Sequence, residues 1–139
     1  MPAFILDTDI LSLYQRGQPQ VGSAVAAHAV KSVGVTVITI EEQVVGWINA
    51  ARQSKRPDRR AWAYQGLADA AASLEQFVIL GYSEPAMLRY DVLRKLKLRI
   101  GGQDLRIAAI ALEVGATVVT KNRIDFARIP GLTIVDWSV

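Results

Sequence analysis

Acidic residues recur in this chain where a carboxylate leaves an apolar run or opens a helical one. Asp7 follows Phe4-Ile5-Leu6 directly, and Glu42 stands one residue beyond Val37-Ile38-Thr39-Ile40. Asp104 comes after the Gly101-Gly102 pair and opens the helical stretch Leu105 to Val114, while Asp125 lies past Thr117-Val118-Val119-Thr120. If the apolar runs are parallel strands, their C-terminal ends share one edge of the sheet, the edge at which α/β proteins bind ligands. Carboxylates far apart in sequence then meet in a single acidic pocket. No histidine or cysteine stands beside them, so the chemistry expected is that of hard divalent cations, magnesium first and manganese as an alternative. Such ions can activate a water and stabilise the leaving oxygen of a phosphodiester. Each acid alone also has an ordinary structural reading: Asp104 as a helix cap, Glu42 as one of two adjacent glutamates. Their convergence is what points to a site.

The elements that must position these acids read as short, continuously apolar strands separated by helices. The strands expected are Ala3 to Leu6, Gly34 to Ile40, Phe77 to Leu80, Thr117 to Thr120 and Leu132 to Val135. Continuous rather than alternating apolar runs fit strands covered on both faces, as in a parallel sheet. The helices expected are Asp9 to Tyr14, Val21 to Lys31, Glu41 to Gln53, Asp58 to Glu75 just after Pro57, a helix capped by Ser83 and running to about Lys97, and one capped by Asp104 and ended by Gly115. The order β-α-α-β-α-α-β-α-α-β-α-β predicts an α/β three-layer sandwich: a central, mainly parallel sheet of about five strands flanked by helices. No repeat, low-complexity tract or linker divides residues 1–139, so one domain is expected.

Composition narrows the classes. With 51% hydrophobic and 21% charged residues the chain reads as a compact soluble protein, not a disordered one. No apolar stretch is long enough to span a bilayer and no signal-peptide pattern opens the chain, so no membrane partner is expected. Cysteine is absent, which excludes disulfides and thiolate metal sites and fits a reducing, cytoplasmic setting. The formal net charge of +3 permits a polyanionic partner. Positive charge gathers in two stretches: Arg52, Lys55, Arg56, Arg59 and Arg60, and Arg89, Arg94, Lys95, Lys97 and Arg99. The second leads into the Gly-Gly loop before Asp104, which makes Arg94, Lys95, Lys97 and Arg99 the better candidates for gripping a phosphate backbone, with a solvated helix face as the alternative. Lys121 and Arg123 flank Asn122 and could touch the phosphate as well. His28 lies far from every acidic motif and reads as a surface or half-buried helix residue.

Taken together the motifs resemble those of PIN-domain ribonucleases. Phe4-Ile5-Leu6-Asp7-Thr8-Asp9-Ile10-Leu11-Ser12 is similar to the opening motif of that family, and Ile38-Thr39-Ile40-Glu41-Glu42-Gln43-Val44-Val45-Gly46 to its second, in a register that selects Glu42 over Glu41. Gly102-Gln103-Asp104-Leu105-Arg106-Ile107-Ala108-Ala109 resembles the third, and Val119 to Phe126 with Ile129-Pro130-Gly131-Leu132 the fourth. The resemblance spans essentially the whole chain and is nearest to VapC-type toxins of toxin–antitoxin pairs. It implies a magnesium-dependent endoribonuclease in which Asp7, Glu42 and Asp104 bind metal. Asp125 is the fourth acid; it could bind metal directly, act through water, or orient Asn122. Asp9 stands where asparagine is common in the family, and Thr8 and Thr120 could hold the carboxylates by hydrogen bonds. The resemblance also implies a small antitoxin partner and a homodimer; the apolar faces Val44-Val45-Trp47-Ile48 and Trp62-Tyr64-Leu67 suggest a groove for a partner helix.

Three rival readings use the same residues. A haloacid-dehalogenase-type phosphatase would take Asp7 as nucleophile and Asp9 as acid, yet no later lysine with a paired-aspartate motif completes it. A phosphoacceptor receiver domain would need aspartate after Phe77-Val78-Ile79-Leu80, where Gly81-Tyr82 stands. A PIN domain that only binds RNA or a partner would have lost acids that this chain keeps.

Overall fold

Five short strands, all parallel, carry the molecule, and the computed structural model describes residues 1–139. They are β1 (Phe4–Leu6), β2 (Val33–Thr36), β3 (Val78–Leu80), β4 (Thr117–Val119) and β5 (Ile134–Val135), in the sheet order β3-β2-β1-β4-β5. The chain builds outward from β1 through β2 to β3, then crosses to the other side of β1 for β4 and β5. The reversal therefore falls at β1 and β4, where an open parallel sheet leaves a crevice beyond its C-terminal edge.

Alternation along the strands explains why both faces are apolar. Ile5 and Val118 point to one face, with Leu80, Leu93, Leu105, Ile110 and Phe126; Leu6 and Val119 point to the other, with Ile10, Leu11, Val21, Val35 and Phe77. The first face is covered by α5 (Glu84–Lys95) and α6 (Gly102–Val114), the second by α1 (Thr8–Gln15) and α2 (Pro19–Ala26). Two long helices, α3 (Val37–Gln53) and α4 (Pro57–Ser73), pack on each other as a hairpin, and α7 (Arg123–Phe126) is a single turn after β4. A four-residue helix is not stable by itself; α7 is fixed by Phe126, whose ring is wholly buried. The element order matches the sequence reading, as does the parallel five-stranded sheet between helices.

Several boundaries differ from that reading, and one matters for the site. The stretch Val37-Ile38-Thr39-Ile40 is not strand: β2 stops at Thr36, which caps α3 by accepting a hydrogen bond from Thr39 N at 3.3 Å. Four β-branched residues oppose a helix by no more than about 0.7 kcal/mol each. A cap worth about 1 kcal/mol and burial of Ile38 worth about 1.5–3 kcal/mol offset that preference. Asp104 does not cap α6 either; Gly101 occupies the cap, and Asp104 lies in the first turn. The helix expected to reach Lys31 ends at Ala26, followed by a 3-10 turn at Val30–Ser32. There His28 leaves the helix to stack on Trp137, with ring centroids 4.7 Å apart, and its Nδ1 meets the Ala24 carbonyl oxygen at 2.7 Å. Pro57 lies inside α4 as its first residue.

Candidate active site

Asp7 stands where β1 ends and α1 begins, at the sheet's C-terminal edge. Its backbone N–H donates to Val119 O at 3.0 Å, which ties it to β4, and its Oδ1 accepts from Ile10 N at 2.9 Å as the cap of α1. The side chain is 4% exposed. Burial raises its pKa to about 6; the Thr120 hydroxyl and the Ile10 N–H oppose the shift, and the charges of Asp9 and Asp104 add to it. Thr120, fully buried just past β4, also accepts from Asn122 N at 2.9 Å, so one hydroxyl joins the Asp7 and Asn122 corners.

Asp104 faces Asp7 from the first turn of α6. Its pKa is likewise raised to about 6, first by burial and then by Glu42, Asp9 and Asp125. Since no side chain caps α6 and no hydrogen bond reaches the Asp104 carboxylate within the chain, its simplest structural role is vacant. Glu42, in the second turn of α3, lies too far into the helix for much help from the N-terminal dipole, which acts mainly within the first turn. A relay of hydroxyls holds it instead. Thr8 Oγ1 donates to Glu42 Oε1 at 2.7 Å, and the buried Thr39 hydroxyl stands 3.0 Å from Thr8. Glu41 is drawn away, accepting from Gln103 Nε2 at 2.9 Å.

Asp125 differs from the other acids because both its oxygens are engaged. Asn122 Nδ2 donates to its Oδ2 at 2.8 Å, and Arg128 Nη1 to its Oδ1 at 3.2 Å. In this arrangement it orients Asn122, one of the three roles open to it on sequence grounds. Arg128 also donates to Leu98 O and Arg99 O, at 3.4 Å each, pinning the basic connector after α5 beside α7. Lys97 and Arg99 take left-handed backbone angles there, with φ of 52° and 61°. Arg94, Lys95, Lys97, Arg99, Lys121 and Arg123 are all exposed and outside every ion pair.

No three carboxyl, imidazole or thiol side chains converge closely enough to make a finished metal cage. What the site has is a crowd of carboxylates in which only Asp125 is paired with a cation. Two buried or half-buried acids with raised pKa and no positive partner, Asp7 and Asp104, are a hard-oxygen donor set short of a positive charge. That fits a magnesium-like ion, a hard cation that takes oxygen ligands and commonly keeps several waters.

Beside Glu42 and Thr8 a groove of about 590 Å³ runs between α1, α3 and α4. Trp47 and Trp62 meet edge to face at its far end, centroids 5.3 Å apart. Gly66 lies under the Trp47 ring, where an added Cβ would come within 2.4 Å. Gln15 and Gln43 pair amide to amide on its wall, at 3.0 and 2.8 Å.

The sequence reading missed Thr39, Arg128 and the Gln15–Gln43 pair. Thr39 could have been found, because a helix beginning at Val37 places it three residues before Glu42, on the same face. Arg128 and the glutamine pair carry no local signal.

No family model matches the chain. The tRNA(fMet)-specific endonuclease VapC of Salmonella typhimurium is 27% identical over 141 residues, covering 99% of both chains. Ribonuclease VapC2 of Rickettsia felis is 36% identical over 69 residues, 47% of this chain and 52% of that protein. Among solved structures, DNA-bound VapBC of Salmonella typhimurium superposes with a TM-score of 0.80 at 27% identity, over 99% of each chain. VapBC2 of Rickettsia felis, bound to a promoter DNA fragment, gives 0.75 at 25% identity, over 96% of this chain and 98% of that one. The parallel five-stranded sheet flanked by helices is that of a PIN domain. Over nearly its whole length the chain is similar in sequence and in fold to VapC ribonucleases.

Proposed function

We propose that this chain is a metal-dependent endoribonuclease acting as the toxin of a toxin–antitoxin pair, with magnesium as its ion and manganese able to replace it. The observation that carries this reading is the unpaired acidic centre: Asp7 and Asp104, each with a pKa raised to about 6, share one neighbourhood with Glu42, Asp9 and Asp125. Asp7, Glu42 and Asp104 would hold the ion. When bound, it would polarise a phosphate and lower the pKa of a water that attacks phosphorus in line. The chain's own contribution is placement. Thr8 and Thr39 support Glu42, the Thr120 hydroxyl bonds Asp7, and Asp125 bonds Asn122 at the same edge. Arg94, Lys95, Lys97 and Arg99, with Lys121 and Arg123, offer the RNA backbone positive charge around an otherwise repulsive pocket.

The groove between α3 and α4 is assigned to the antitoxin-like partner, since its aromatic end suits an apolar side chain and its other end opens at Glu42. The expected homodimer belongs to the same reading; Leu88 and Val92, exposed on α5, and Leu96, exposed at its C-terminal cap, support it. The test is incubation of the purified, partner-free chain with mixed structured RNAs in magnesium, manganese or chelator. Discrete products that vanish with chelator support the nuclease. RNA binding without cleavage by folded protein favours a binding module, and phosphate release from small phosphomonoesters would revive the phosphatase.

A further inference from the structure

Beside the acidic centre, and sharing Ser12 and Arg16 with the groove between α1, α3 and α4, lies a polar cleft of about 380 Å³ lined by Asp9, Ser12, Leu13, Arg16, Lys121 and Asn122. Its size falls in the range of about 300–1,000 Å³ typical of small-ligand sites. Each of its two walls, α1 and the turn after β4, holds one residue of the acidic centre: Asp9 is among the charges felt by both Asp7 and Asp104, and Asn122 is bonded by Asp125. Each wall also carries a cation, Arg16 on α1 and Lys121 in the turn after β4. Arg16, at the C-terminal end of α1, is exposed, makes no ion pair, and donates no side-chain hydrogen bond. Lys121 is exposed and equally unpaired. A cleft with one hydrophobic residue, and with a free guanidinium and a free ammonium reaching it from two different elements, suits an anion tethered to whatever lies at the acids.

We infer that Arg16 and Lys121 form a phosphate subsite that grips the RNA backbone next to the scissile bond. Arg16 presents a planar fork of N–H donors that matches two phosphate oxygens, and Lys121 adds a point charge. The subsite keeps the strand in register with the acids and so acts on binding, not on the chemical step. This inference rests on the ribonuclease reading, but its test does not need cleavage.

Binding of a fluorescein-labelled, mixed-sequence single-stranded RNA is measured in EDTA over a salt series. The wild type is compared with Arg16→Gln, Lys121→Gln and Lys31→Gln, the last an exposed cation in the 3-10 turn before β2 at the opposite sheet edge. The expected result is about fivefold to tenfold weaker binding for Arg16→Gln and Lys121→Gln, with the log–log salt slope reduced by about 0.7 for one lost phosphate contact. Lys31→Gln should bind like the wild type. In magnesium, Arg16→Gln should raise KM and leave kcat nearly unchanged. Thermal unfolding checks that the variants fold, as a side chain without partners should allow. Wild-type affinity in Arg16→Gln overturns the subsite and reduces Arg16 to a helix-end cation. Weakened binding with a wild type that cleaves nothing would keep the subsite and sink the nuclease.

Discussion

The hydroxyl of Thr8 donates to Glu42 Oε1 across 2.7 Å, joining the first turn of α1 to the second turn of α3. Thr39 stands behind it at 3.0 Å with its own side chain fully buried. Removing the Thr8 hydroxyl therefore frees the carboxylate and strands a buried partner. Thr8→Val should cost about 1–2 kcal/mol in denaturant unfolding. It should also lower magnesium affinity or cleavage by about 10–100-fold, as loss of a supporting hydrogen bond to a metal ligand does. Thr8→Ser should restore both.

The raised pKa values of Asp7 and Asp104 make stability depend on pH. Their folded values of about 6 exceed the ordinary value of 3.8, so between those limits the folded state holds protons that the unfolded chain has released. Stability from these groups is therefore complete below about pH 4 and is lost as pH rises through 6. For Asp7, nearly wholly buried, the loss is on the order of 2–3 kcal/mol. In chelator the protein should melt higher near pH 5 than at pH 7.5. Saturating magnesium should reverse that order, since it binds only the ionised form. A melting temperature that is flat in chelator would contradict the assignment.

Asp125 and Asp104 should respond unequally to the same substitution. Asp125 spends one oxygen on Asn122 and the other on Arg128, whereas Asp104 spends none within the chain. Asp125→Asn should weaken metal binding by about 10-fold, the lower end of what a supporting residue costs, and Asp104→Asn by far more. Titration of manganese, followed by its paramagnetic signal, reads both directly. Equal losses would make Asp125 a ligand in its own right.

The aromatic end of the groove proposed for the partner can be disturbed apart from the acidic centre. A methyl at Gly66 would sit 2.4 Å from the Trp47 ring, which is itself braced by Trp62. Gly66→Ala should cost about 1–3 kcal/mol through overpacking. It should weaken capture of a cognate antitoxin while leaving cleavage per folded molecule near wild type. A calorimetric melt and a pull-down with that antitoxin check the two halves.

The physics of the sheet explains which residues could be read in advance. Short apolar runs such as Phe4-Ile5-Leu6 and Thr117-Val118-Val119 announce strands buried on both faces, and parallel pairing brings the residues at their C-terminal ends to one edge. Asp7 and Thr120 were legible on those grounds. Glu42 was placed at that edge through the wrong element: Val37-Ile38-Thr39-Ile40 has strand propensity, but capping by Thr36 and burial of Ile38 turn it into helix. Asp104 carried an ambiguity that only the packed helix resolves, since Gly101 takes the cap and leaves the carboxylate without a partner. Arg128 and Arg16 were silent. Long cations on helix ends look alike in sequence, and their partners are chosen by tertiary distance.

The most direct measurement is single-turnover cleavage of a defined RNA across a magnesium series by the wild type, Asp7→Asn and Asp104→Asn, with folding of each checked by thermal melt. The expected result is magnesium-dependent cleavage by the wild type, lost in chelator, and rates at least about 100-fold lower in both folded variants, as when a preorganised charge that stabilises the transition state is removed. Cleavage that persists in chelator, or variants that cut at the wild-type rate, would contradict it.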